Sequence, residues 1–546
     1  MTHAETLITG AQLWTPAPLA APADIAISDG RIMAVGAAGE LAHLAGRKTV
    51  RIDAHGAAVL PGFHDAHVHP LAGGVALLGC DLSGVHSLPE YQRLIIEHAA
   101  RSDDTCITGS GWFGDVFPGG LPDRHLLDTL VPDRPAVFSS HDAHGVWVNS
   151  RALALAGIDR DSPDPPAGRI VRDDRGEPTG ILLDSAAEPV TALLPAHSPD
   201  KLGEALRAAQ AHLLSLGITS WHDAIVGEYL TLPDCLPTYQ REMAAGTLRA
   251  RITGSLWWNP AWDVTDLPAL LETRARAGAA AGLRMNSVKI MQDGICENHT
   301  AAMIGPYQGT GAQNRGKSVI DPGVLNELVT AIDAQGLRVH FHGVGDRAVR
   351  ECLDAVAEAR RRNGPGQLHQ IAHLDVVDPA DLPRFAELGV MANIQPLWAR
   401  ADREILERKL PLLGEQRARW HFPFGSLAAA GAALAMGSDW PVTSADPLWA
   451  LHTACTRTAP SADPHAGNPE SRVPMQPRER LPVDTAVRAY TLGAAEASGT
   501  AGGAGQLIPG HHADLVLLSG PVNGPDSFDQ LRVALTMVGG EVLYRA

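Results

Sequence analysis

The sequence predicts an α/β fold: a (β/α)8 TIM barrel with a small β-sandwich domain built from both chain termini. Three observations predict it. Through the middle of the chain, helical stretches end on glycine and run at once into short apolar strands. Both ends read as β structure instead. Polar residues fall at the C-terminal ends of the middle strands, the rim where a parallel barrel assembles its site.

The N-terminal β reading rests on Asp24–Gly36, which alternates around Asp29-Gly30, a pair that tolerates the positive φ of a tight hairpin. At the other end, Ala513–Leu518 reads as a strand, and 533–543 as one long strand bent at Gly539 and Gly540. The two ends are expected to meet in one small domain, residues 1–60 with 505–546. The barrel then covers 61–504, with a substrate-shaping excursion around 75–220.

Within the barrel, Asp321-Pro322 supplies an N-cap and a first-turn proline, and Gly336 closes that helix. The strand Leu337–His342 follows. The same logic gives a helix from Asp378-Pro379 to Gly389 before Val390–Ile394. Helices ending near Gly217 and Gly431 lead into Ile218–Asp223 and Ala432–Asp439. His342, Asp223 and Asp439 thus sit at or just past strand ends.

Composition narrows the function. The 546 residues carry 61 Asp+Glu against 44 Lys+Arg, a net charge of −17 that repels phosphate backbones, so no nucleic-acid partner is expected. No apolar run reaches the ~20 residues of a membrane span. No secretory leader is evident, and the six cysteines are scattered without a C-x-x-C pair, which predicts reduced thiols and a cytoplasmic protein. The expected partner is a small-molecule substrate; a homodimer is the ordinary assembly for such a chain.

The chemistry concentrates in Leu60-Pro61-Gly62-Phe63-His64-Asp65-Ala66-His67-Val68-His69-Pro70. Residues two apart on a strand face the same way, so His67 and His69 can share one ion. Two neutral imidazoles suit Zn²⁺ and, less selectively, other divalent transition ions. Read alone, an H-x-H pair is a weak signal, more often a polar strand end with ordinary hydrogen-bonding histidines. His342, His373 and Asp439 at later strand ends turn it into a first ligand shell with a base. By parity His64 falls on the opposite side and is structural. His340 shares the parity of His342 but lies deeper, as a supporting partner, and His369 is similar.

With these stretches in hand, the sequence resembles the amidohydrolase superfamily, and within it the amidohydrolase 3 group of N-substituted formamide deformylase-like enzymes. The resemblance also rests on Asp142–Ser150, Val288–Gly294, His342–Arg347, His369–His373, Gln395-Pro396, Gly437–Pro441 and Pro509–Leu515. It implies His67 and His69 on the first barrel strand, Lys289 on the fourth, His342 on the fifth, His373 on the sixth and Asp439 on the eighth. Lys289 is either an outward or salt-bridged lysine or, as in many superfamily members, carboxylated by CO2 to bridge two metals. One or two ions, zinc in first place, are therefore expected.

The implied reaction is attack of a metal-activated water on an amide-like C–N bond. Asp439 serves as base, and His373 or a neighbour steadies the oxyanion. His144, Trp112 and Asp115 are candidate substrate contacts on the excursion, the last two in the Gly109–Gly120 segment beside Phe113. An ordinary packed loop is the competing reading there. Cys296 has no local base and is not expected to be a nucleophile. A deaminase or an ester or lactone hydrolase on the same metal remains open, and a metal-free structural relative is the remote alternative.

Overall fold

The computed structural model describes residues 3–15, 22–141, 144–165, 168–194, 197–229, 232–278, 283–310 and 313–546. Asp142 and Ala143, part of one stretch that carries the resemblance, lie outside the described residues.

Eight parallel strands form the central sheet: β1 (Phe63–Val68), β2 (Ile218–Val226), β3 (Arg251–Trp257), β4 (Leu283–Met291), β5 (Arg338–Gly343), β6 (Gln370–His373), β7 (Met391–Ile394) and β8 (Ala433–Met436). They pair in chain order from β1 to β8. The two ends of the sheet are then brought together beyond and beneath the strands. Asp439 N donates to His67 O at 2.8 Å, His69 N to Trp440 O at 2.9 Å and Asn393 Nδ2 to Ala66 O at 3.0 Å. Gly437 makes this approach feasible: a Cβ there would lie 2.5 Å from His67 N.

The helix-to-strand punctuation is as read. Helix Pro322–Ala334 is capped by Asp321, whose carboxylate accepts from Gly323 N at 2.8 Å. Gly217, Gly336, Gly389 and Gly431 all take positive φ before the strands that follow. One boundary differs: the helix before β7 starts at Leu382 rather than after Pro379. Asp378 spends its carboxylate on a turn to Ala380 N, and Asp381 stands at the helix start.

The parity of β1 also differs from the simple alternation. Its register against β2 shifts between Trp221–Asp65 and Asp223–Val68, so one extra residue bulges out. His64 therefore does not lie opposite His67. It too turns inward, held between Ser220 Oγ (2.8 Å) and Ser498 Oγ (2.7 Å).

Both termini meet in one sheet, where Ala58–Pro61 pairs with Ala4–Leu13 on one side and Leu515–Leu518 on the other. Apolar residues from both ends, among them Ile8, Ile25, Val59, Leu515 and Met537, share one core. The final segment is two strands rather than one bent strand. Val533–Val538 and Glu541–Arg545 pair antiparallel, because Gly539 and Gly540 (φ 55° and 78°) reverse the chain.

The excursion is a folded unit. Six strands between Cys80 and Asp184 form a mixed sheet over a core that includes Tyr91, Trp112, Phe138 and Trp147. It is inserted between helices Pro70–Leu78 and Pro199–Ser215. Among the described residues, no helix is long and apolar enough to cross a membrane. All six cysteines are free and buried.

Candidate metal centre

β1 and the loop after β8 deliver the heart of the site. His67 Nε2 lies 3.4 Å and His69 Nε2 3.1 Å from Asp439 Oδ1, and His373 Nδ1 lies 3.8 Å from Asp439 Oδ2. His342, at the end of β5, packs its ring 4.4 Å from that of His373. Three of the sequence-predicted ligands, His67, His69 and His373, thus converge on the carboxylate of the predicted base. His67, His373 and Asp439 are buried and present donor atoms within 4.8 Å of one another.

The backbone is bent to achieve this. His373 (φ 80°) and Asp439 (φ 56°) both occupy the left-handed region, which costs a non-glycine residue about 1–3 kcal/mol. Surrounding bonds enforce it. Gln395 Oε1 accepts from His373 N at 2.9 Å, and Trp398 stacks on the imidazole with ring centres 5.3 Å apart. Asp65 Oδ1 accepts from both His67 N (3.1 Å) and Ser438 N (3.0 Å), tying the ends of β1 and β8 together. Burial pushes the Asp65 carboxyl up to about 7.

Electrostatics favour ligation. Burial, reinforced by neighbouring cationic groups, holds the imidazoles of His67, His342 and His373 well below their ordinary range. They are therefore neutral near pH 7, the form that offers a lone pair. His340, one layer deeper on β5, places Nε2 at 2.8 Å from His67 Nδ1 and so fixes which nitrogen of His67 faces Asp439. His369 sits further from the site, between Val339 N and Asp333.

Lys289, on β4, points into the barrel and is 1% exposed. Its ammonium shares the barrel interior with Asp439, whose charge favours the protonated form, so the outward role does not apply. Burial lowers it to about 7. Asp293, just past β4, accepts from Ala302 N, Val344 N and Gly345 N and lies 3.8 Å from His342 Nε2, locking the loops after β4 and β5 to each other.

The excursion residues are dispersed. His144 Nδ1 sits 2.9 Å from Asp184 Oδ1, close enough to His342 that a proton on one disfavours a proton on the other. Trp112 is buried in the excursion's own core, its Nε1 donating to Phe138 O at 2.9 Å. Asp115 pairs with His86. Cys296 is fully buried with its thiol pushed up by burial, an environment that disfavours thiolate. Asp65 and Trp398 had no assigned role in the sequence. Asp65 stood in plain view two residues before His67, whereas nothing local marks Trp398 as a stacking partner.

The residues present fit a divalent cation. His373 Nδ1 is buried with no hydrogen-bond partner among the described residues, and imidazoles plus a carboxylate are the donor set such an ion takes.

Comparison with known proteins agrees. A model of the amidohydrolase family matches residues 51–544. The chain is 32% identical to the protein LONG AFTER FAR-RED 3 of Arabidopsis thaliana over 99% of its length and 92% of that protein's. It is 26% identical to N-substituted formamide deformylase of Arthrobacter pascens, covering 95% of this chain and 94% of the relative. A metal-dependent hydrolase from Pyrococcus furiosus superposes with a TM-score of 0.70 at 25% identity, covering 94% of this chain and 98% of that one.

Proposed function

The chain belongs to the amidohydrolase family, and from that premise we propose that it hydrolyses an amide-like C–N bond of a small molecule, with Asp439 as the proton carrier. The observation that carries the reading is the convergence of His67, His69 and His373 on the Asp439 carboxylate at the barrel rim. The likeness to an N-substituted formamide deformylase over nearly the whole chain supports the choice of bond.

His67, His69, His342, His373 and Asp439 would hold the metal, with zinc the first candidate and one or two ions as the count. When bound, such an ion supplies Lewis acidity and lowers the pKa of a water from about 15.7 to about 7. Asp439 accepts a proton from the attacking water and returns it to the departing nitrogen, so that an acid and an amine leave. Its left-handed backbone holds the carboxylate over the barrel mouth for both transfers. His373, held by Gln395 and Trp398, is fixed where it can also face the charge developing on the carbonyl oxygen.

Lys289 supports a binuclear version. A buried amine held near 7 has its lone pair available to add to CO2; loss of the N–H proton leaves a carbamate anion among the imidazoles. His144 is the proposed substrate contact from the excursion; Asp115 is committed to His86 instead, and the burial of Trp112 supports only a wall role behind His144. The six buried free thiols support a reducing, cytoplasmic setting.

A panel of N-formyl, N-acyl and cyclic amides offered to zinc-loaded protein tests the proposal. Release of amine by the wild type and not by Asp439→Asn is expected. Turnover of esters or deamination of amines with no amide cleavage would overturn the choice of bond.

A further inference from the structure

Among the described residues, one group of side chains apart from the barrel centre converges at ligand spacing. His86 Nε2 lies 2.9 Å from Asp115 Oδ1, and the His86 and His465 rings are 4.5 Å apart. One donor atom from each of the three falls within 4.8 Å of the other two. They come from distant stretches: His86 and Asp115 from the excursion, His465 from the turn Pro464–Gly467 past β8. None of them belongs to the barrel centre.

The cluster is short of a partner. His465 is 2% exposed, yet among the described residues neither ring nitrogen has a hydrogen-bond partner; buried Asp115 Oδ2 has none either. Each such orphan has given up its hydrogen bonds to water without replacement. The backbone of His465 is, by contrast, pinned: Asp463 accepts from its N–H at 2.8 Å and Ser471 Oγ donates to its carbonyl at 2.9 Å. A hydrogen-bonded His86–Asp115 dyad accounts for one imidazole and one oxygen and leaves the rest bare.

We propose that His86, Asp115 and His465 form a second divalent-cation site, distinct from the barrel centre, that clamps the excursion onto the barrel. Two imidazoles and one carboxylate are a zinc donor set, with a fourth position left for water. Phe113 packs edge-on to both imidazoles and walls the site from one side.

The test is anomalous diffraction at the zinc edge from wild-type crystals grown with Zn²⁺, paired with zinc content after dialysis of wild type, His465→Ala and Asp115→Asn. A peak among the three side chains is expected, with one ion fewer per chain in each variant. The idea is overturned if zinc-loaded crystals show the barrel peak and none here, or if both variants keep the full zinc content. Should the variants not fold, the wild-type map alone decides. The barrel peak is read separately in the same map, so failure of the proposed catalytic site and failure of this one are distinguishable.

Discussion

Gly437→Ala offers a perturbation whose size can be worked from the geometry. Position 437 has ordinary negative φ, so alanine is acceptable to the backbone itself. The added Cβ, however, would lie 2.5 Å from His67 N, 2.6 Å from His67 Cβ and 2.9 Å from His67 Cα. Ordinary contact begins at 3.4 Å, so β1 and the segment after β8 must separate by about 0.9 Å. The atoms in the way are mainly backbone and cannot swing aside. Overpacking of this kind costs about 1–3 kcal/mol, and a misplacement near 1 Å costs about 10²-fold in rate. The same separation strains the Asp439 N to His67 O bond that sets Asp439 beside His67. Urea unfolding and steady-state hydrolysis are the assays, with Gly84→Ala as control because a Cβ there meets nothing within 4 Å. If Gly437→Ala matches Gly84→Ala in both stability and kcat, the barrel is not closed through this contact and the reasoning fails.

Three further outcomes are expected. Asp439→Asn keeps the shape but not the basicity, so kcat falls about 10²–10⁴-fold while mass spectrometry still finds at least one ion per chain, held by the four remaining histidines. Tyr239→Phe removes the 2.7 Å hydroxyl bond to the buried Asp223 carboxylate and costs about 1–3 kcal/mol in urea unfolding, without changing metal content. His64 is pushed down from 6.5 to about 3 by burial, so between those values the unfolded chain binds a proton that the folded one refuses. Stability from this residue is complete above about 6.5 and is lost as pH falls toward 3. His64→Gln should flatten that acid limb of a melting-temperature profile, and an unchanged limb would remove His64 from the account.

The barrel was legible because its signals are local. Asp321-Pro322 and Gly336 mark a helix by their own backbone preferences, and a strand follows wherever such a glycine ends one. His67, His69 and Asp439 were legible for the same reason, being polar residues at the tips of apolar strands. What escaped depends on partners far away in sequence. The bulge that turns His64 inward is a mismatch between β1 and β2, residues some 150 apart, and no parity count within β1 can reveal it. The Gly539-Gly540 reversal escaped because two glycines permit either a bend or a hairpin, and pairing with Val533–Val538 decides. His86 and His465 meet only because the excursion folds back over the barrel's last loops. Trp112 reads as a loop residue until the six-stranded sheet that buries it is assembled.

The most direct measurement is hydrolysis of the best amide substrate by protein stripped with a chelator, then titrated with Zn²⁺ while bound metal is counted. Activity should vanish on stripping and return in step with the one or two ions that the barrel takes up. In His67→Ala/His69→Ala it should not return at any zinc concentration that leaves the chain folded. Full turnover by the metal-free protein, or recovery of the double variant to the wild-type rate, would contradict a hydrolase centred on these histidines.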